Sequence, residues 1–140
     1  MEEVQRQENA VPTSDQSEHI LRLNQRLLDA IAIADWDTYE ELCDAELTAF
    51  EPEARGQRVQ GLGFHRFYFD PGAPKQPRHT TMIDPRVCML GDDAALVTCI
   101  RLVQAQTDEG PITQRSEETR IWQHREGSWR HTHFHRSQHS

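Results

Sequence analysis

The amino-acid sequence predicts an α+β domain: a long amphipathic helix packed inside a strongly curved antiparallel β-sheet, together forming a cone with a mouth. Two observations predict it. Apolar residues recur at steps of three and four through Ile20, Leu23, Leu27, Ala30, Ile31 and Ala34, the spacing of one helical face. The C-terminal half then reads as a β-meander of four runs separated by turn chemistry: GDD (91–93), TDEGP (107–111) and REGS (125–128).

Taken in order, residues 1–17 read as a flexible acidic tail, with Glu2, Glu3, Glu8 and Asp15 against Arg6. Residues 18–140 form the domain. Asp15 and Ser17 are candidate caps for the long helix, which the pattern ends near Asp35. A shorter helix restarts at Asp37, where Asp37 and Glu40 form a capping-box pair. Its apolar side carries Tyr39, Leu42 and Cys43. Residues 47–50 read as a short strand, and Pro52 and Gly56 break the chain after it. Residues 61–69, GLGFHRFYF, read as a short helix, and 71–77, with three prolines, as a loop. The meander strands are expected at 78–90, 94–106, 112–123 and 129–137, the first bulged or broken at Asp84-Pro85.

At 140 residues the chain fits one domain, and its 36% hydrophobic content is enough for a single core. No run approaches the roughly 18 apolar residues of a membrane span. The N-terminus lacks the apolar region of a secretory signal, so a cytoplasmic location is expected. Fifteen basic against 23 acidic residues give a net charge of −8, which argues against nucleic acid or an anionic membrane as partner. Lys75 is the only lysine, so the positive charge is nearly all arginine, suited to directional pairing with carboxylates. Cys43, Cys88 and Cys99 are odd in number and lack C-x-x-C spacing, which favours neither a disulfide framework nor a zinc ribbon.

The most informative residues are Arg101, Arg120 and Arg136, each on a meander strand. Arg101 interrupts an apolar run and shares a strand face with Val97, Cys99 and Val103. Arg120 shares its face with Trp122, and Arg136 with Phe134. A buried guanidinium is costly unless paired. The three either converge to hold an anion, or pair internally with carboxylates such as Glu117 or Glu118, or point to solvent. His131, His133 and His135 alternate, so one strand face would carry all three. A solvent or interface edge is favoured there over a metal site, because no cysteine or carboxylate completes a ligand set. No cofactor is indicated: no nucleophile elbow, phosphate loop or H-E-x-x-H motif occurs. His65 with a nearby carboxylate would suit a small isomerase or hydrolase, the reading given least weight.

The segments LTAFEPEARGQRVQGLGFHRFYF, HTTMIDPRVCMLGDDAA, SEETRIW and HFHRS closely resemble the association (hub) domain of calcium/calmodulin-dependent protein kinase II, from about Glu18 to Ser137. The resemblance implies an NTF2-like, SnoaL-like cone. It implies a non-catalytic scaffold whose subunits dimerise and close into double rings, commonly dodecamers or tetradecamers, displaying kinase domains around the rim. It further implies a deep pocket lined by Arg101, Arg120 and Arg136, with His65 on its wall, for a small carboxylate or acidic peptide. The chain carries no kinase domain and no basic calmodulin-binding segment ahead of the domain, so either a stand-alone hub-like protein or a fragment of a longer chain is expected, with a kinase domain in cis or in trans as the partner the resemblance implies.

Overall fold

A computed structural model describes residues 15–138. Helix α1 (Asp15–Ala32) begins inside the segment expected as tail, whose residues 1–14 lie outside the described range. Its apolar stripe is buried at Ile20, Leu27 and Ala30, as the periodicity requires. The helix stops three residues before Asp35, because Ala34 turns into the left-handed region at φ 60°. Helix α2 (Trp36–Leu42) then starts one residue earlier than expected. Its cap is Asp35, not Asp37: the Asp35 carboxylate accepts from Thr38 N at 3.1 Å and from Thr38 Oγ1 at 2.7 Å.

Strand β1 (Cys43–Phe50) leads into a one-turn 3-10 helix (Pro52–Ala54) and the two-residue strand β2 (Val59–Gln60). Only the end of the 61–69 segment is helical, as α3 (Arg66–Phe69). The meander follows as β3 (Arg78–Met89), β4 (Ala94–Thr107), β5 (Gly110–Arg125) and β6 (Ser128–Gln138). The β3–β4 register shifts between Ile83 and Arg86, the bulge expected at Asp84-Pro85.

The six strands form one sheet in the order β2-β1-β6-β5-β4-β3. It is mixed, not antiparallel throughout: β1 runs parallel to β6, with Ala49 opposite Phe134. Every pair within the meander is antiparallel, so the parallel contact arises where the meander's last strand docks on the strand that preceded it. Helix α1 lies across the inner face of the sheet. Fully buried Asn24 accepts from Trp122 Nε1 at 3.0 Å, and Gln25 donates to the Thr80 carbonyl at 3.2 Å.

The expected histidine face is not formed. In the β5–β6 ladder Ile121 faces His133 and Trp122 faces His131, which leaves Thr132 as an extra residue. A β-bulge reverses the in–out alternation beyond it. His131 therefore turns into the core and stacks on Phe134 at 5.7 Å between ring centroids. His133 and His135 lie on the opposite face, against Phe50 at 6.0 and 5.5 Å. Among the described residues no group of three His, Cys, Asp or Glu is arranged to hold a metal.

Candidate functional site: an arginine-lined cavity

A cavity of about 250 Å³ opens at the mouth of the cone, and Arg101, Arg120, Arg136 and His65 all line it. Alternation along the strands explains the convergence. On β5, Ser116, Glu118, Arg120 and Trp122 are buried in alternate positions, which sets that row on the inner face. Arg101 lies opposite Ser116 on β4, and Arg136 lies opposite Glu118 on β6. The three guanidiniums therefore come from adjacent strands of one concave surface.

All three are also paired internally, so two of the readings left open by the sequence hold together. Glu118 is the shared counter-ion of the deep pair. Its Oε2 accepts from Arg101 Nη1 at 3.1 Å, and its Oε1 from Arg120 Nε at 3.0 Å. Burial alone would push the Glu118 carboxyl up, but Arg120 and Arg101 outweigh it and hold it at about 2. Arg120 is fully buried. Burial opposes its charge, but Glu118 overcomes this and raises its pKa. It lies 4.4 Å from the Phe134 ring centroid and donates to His131 Nε2 at 3.3 Å. Burial draws Arg101 the other way, below its ordinary value, and Glu118 only partly compensates. Its Nε is buried and has no hydrogen-bond partner among the described residues. That donor is unusual in a folded interior.

Arg136 belongs to a second cluster across the mouth. Its Nη2 donates to Glu53 at 2.5 Å and to the Tyr68 hydroxyl at 3.2 Å, and its Nη1 donates to Gln138 at 3.2 Å. Behind them Glu51 is buried, bound to His65 Nε2 at 2.5 Å and to the Tyr68 hydroxyl at 2.8 Å. Burial pushes the Glu51 carboxyl up, but His65, Tyr68 and Arg136 together bring it below its ordinary value. The other His65 nitrogen, Nδ1, lies 3.2 Å from the Tyr39 hydroxyl. Both ring nitrogens are thus engaged by the protein. A general base needs one nitrogen free to face a substrate, and a carboxylate working as an acid needs a raised pKa. Neither condition is met at this pair.

Sequence reasoning named the guanidiniums and His65 but missed Glu51, Glu53, Tyr39 and Tyr68 as parts of the site. Glu51 and Glu53 stand beside a chain-breaking proline, in a segment that reads as a surface turn. The one available signal was Glu51 directly following the apolar run 47–50.

Residues 16–140 match the calcium/calmodulin dependent protein kinase II association domain. The chain belongs to this family. It is 46% identical over 123 residues to the calcium/calmodulin-dependent protein kinase type II subunit delta of Oryctolagus cuniculus, covering 86% of this chain and 23% of that one. The corresponding kinase of Caenorhabditis briggsae is 47% identical, with 87% and 23% covered. The chain thus spans about a quarter of the length of these relatives. Among solved structures, the association domain of C. elegans CaMKII superposes with a TM-score of 0.83 at 46% identity, covering 87% of this chain and 95% of that one. The hub homology domain of Chlamydomonas reinhardtii gives 0.85 at 42%, covering 91% and 100%. An NTF2-like protein from Cytophaga hutchinsonii, at a TM-score of 0.73 and 19% identity, extends the likeness to the fold alone. The association domain here is therefore an NTF2-like cone, as its sequence predicted. None of its described helices is long and apolar enough to cross a membrane.

Proposed function

We propose that this association domain is a non-catalytic oligomerisation scaffold that closes into a double ring of sister copies, a dodecamer, a tetradecamer or a larger ring. The observation that carries this reading is apolar surface left uncovered on a chain of this family. Phe50 and Ile83 are exposed on the outer sheet face, while Phe64, just ahead of α3, and Phe67, on it, form an exposed edge-to-face pair. Apolar patches of this kind favour burial between copies, and a closed ring leaves none of them open. A kinase domain, joined in cis or held in trans, would be displayed on that ring in the cytoplasm. Native mass spectrometry of the purified protein tests this. A discrete assembly of about ten or more subunits is expected, and a monomer at micromolar concentration refutes it.

A second activity coexists with assembly on the same fold: the cavity binds a small carboxylate or the acid group of a peptide. Two features support it. Five arginines against two glutamates line the cavity, and Arg101 Nε is a buried donor without a partner among the described residues. Calorimetric titration with succinate is expected to give saturable binding that the double variant Arg101→Gln, Arg136→Gln abolishes. Unchanged affinity in a double variant with native circular dichroism refutes the clamp. Catalysis by His65 and a carboxylate is disfavoured by the saturated hydrogen bonds of His65 and the lowered pKa of Glu51.

A further inference from the structure

Of the three carboxylates that pair with Arg101, Arg120 and Arg136, two cannot leave. Glu118 is buried between two arginines, and Glu51 is buried against His65, Tyr68 and Arg136. Glu53 differs on each count. Its side chain is 34% exposed, and its one partner among the described residues is Arg136. It sits on the three-residue 3-10 turn, which ends at Arg55 in the left-handed region and runs into Gly56. A rotamer change would place this carboxylate in water without stranding a buried charge on itself.

Resting on the carboxylate-binding reading above, we infer that Glu53 is a resident competitor: it holds the Arg136 guanidinium and yields it only to an acid that offers more than Glu53 does. A side chain tethered beside its partner acts at an effective concentration of millimolar or higher. A single carboxylate arriving from solution can only replace the contact it displaces, and it also loses translational freedom. An acid with a second acceptor also gains the unpartnered Arg101 Nε, which Glu53 leaves unused. Glu53 therefore raises the threshold for every acid that must displace it, so that dicarboxylates, or carboxylates carrying another acceptor, are the ones that still bind at ordinary concentrations. Glu51 and Tyr68 hold Arg136 in place while Glu53 exchanges.

Isothermal titration of the assembled protein with succinate and with acetate tests this, using wild type, Glu53→Gln, Arg136→Gln and Glu53→Gln with Arg136→Gln. The glutamine keeps a weaker, neutral contact and stands at a partly exposed position, so the variant folds. E53Q is expected to bind succinate at least tenfold more tightly than wild type. Acetate, which must displace the same Glu53 contact, should gain by a similar factor. The gain should vanish when Arg136 is already glutamine. Equal or weaker succinate binding by E53Q, while the Arg101→Gln, Arg136→Gln variant loses binding, overturns the competitor role and leaves the pocket reading standing. A gain that persists without Arg136 also overturns it, because it then reflects net charge alone. Absence of succinate binding in both wild type and E53Q overturns the pocket reading and the inference together.

Discussion

Replacing Glu118 by glutamine removes the one carboxylate that neutralises two buried guanidiniums, at 3.1 Å from Arg101 and 3.0 Å from Arg120. Two independent routes give the cost. Folding moves the Glu118 carboxyl from an ordinary 4.5 to about 2. At about 1.4 kcal/mol per unit, this is about 3 kcal/mol of stability at neutral pH. Deleting one partner of a buried ion pair typically costs about 3–5 kcal/mol, because the remaining charge is left uncompensated. Both are a large share of the total for a domain of this size, on the order of 10 kcal/mol. With a urea dependence of about 1–3 kcal/mol per molar, the E118Q midpoint should fall by roughly 1–5 M at fixed protomer concentration. The pH dependence has a definite sign. A carboxyl whose pKa is lower folded than unfolded contributes fully above 4.5 and loses that contribution as pH falls toward about 2. The gap between wild type and E118Q should narrow over that window. Replacing all three residues with apolar ones of similar size, Arg101→Met, Glu118→Leu and Arg120→Met, should recover most of the loss. A deficit under about 1 kcal/mol at pH 7, or one that does not change across the acid window, refutes the shared counter-ion.

Fully buried His131 should impose its own pH dependence. Burial, reinforced by Arg120, lowers its pKa well below 6.5, so below that pH the unfolded chain takes up a proton that the folded chain refuses. Wild-type stability should therefore fall below pH 6.5, by up to about 1.4 kcal/mol per unit. His131→Gln should flatten that slope between pH 6.5 and 5 in denaturant titrations, and parallel slopes would count against the assignment. Asn24→Leu should cost about 1–3 kcal/mol despite the added apolar surface, because it strands the buried Trp122 N–H. Unfolding followed by Trp fluorescence measures it, and an unchanged midpoint contradicts that role.

The long helix and the four-strand meander were legible because period 3.6 and period 2 survive without tertiary help, and the Asp84-Pro85 bulge is local proline chemistry. Arg101 stood out because a charge inside an apolar run has few innocent explanations. What could not be read depends on contacts distant in sequence. Whether Glu117 or Glu118 faces the arginines is decided by strand parity, and a one-residue slip would exchange them. The extra residue at Thr132 changed that parity on β6, splitting a histidine trio that alternation alone would align. The pairing of Arg136 with Glu53 spans 83 positions and joins a strand to a turn that no periodicity marks. The cap at Asp35 in place of Asp37 is a smaller case, since both acids precede a helical run and only backbone geometry chooses between them.

The parallel seam between β1 and β6 has a consequence for how the molecule comes into being. Cys43 lies beside His131, and Phe50 beside His135, so a central strand of the sheet is the last described element to be synthesised. Until it emerges, the β1–β2 half, with Glu51 and Glu53, has no ladder connecting it to the half bearing Arg101 and Arg120. Long-range closure of this kind is slow and leaves unpaired strand edges exposed in the interim. A nascent chain stalled before Ser128 would present two open edges where the finished sheet has a continuous ladder.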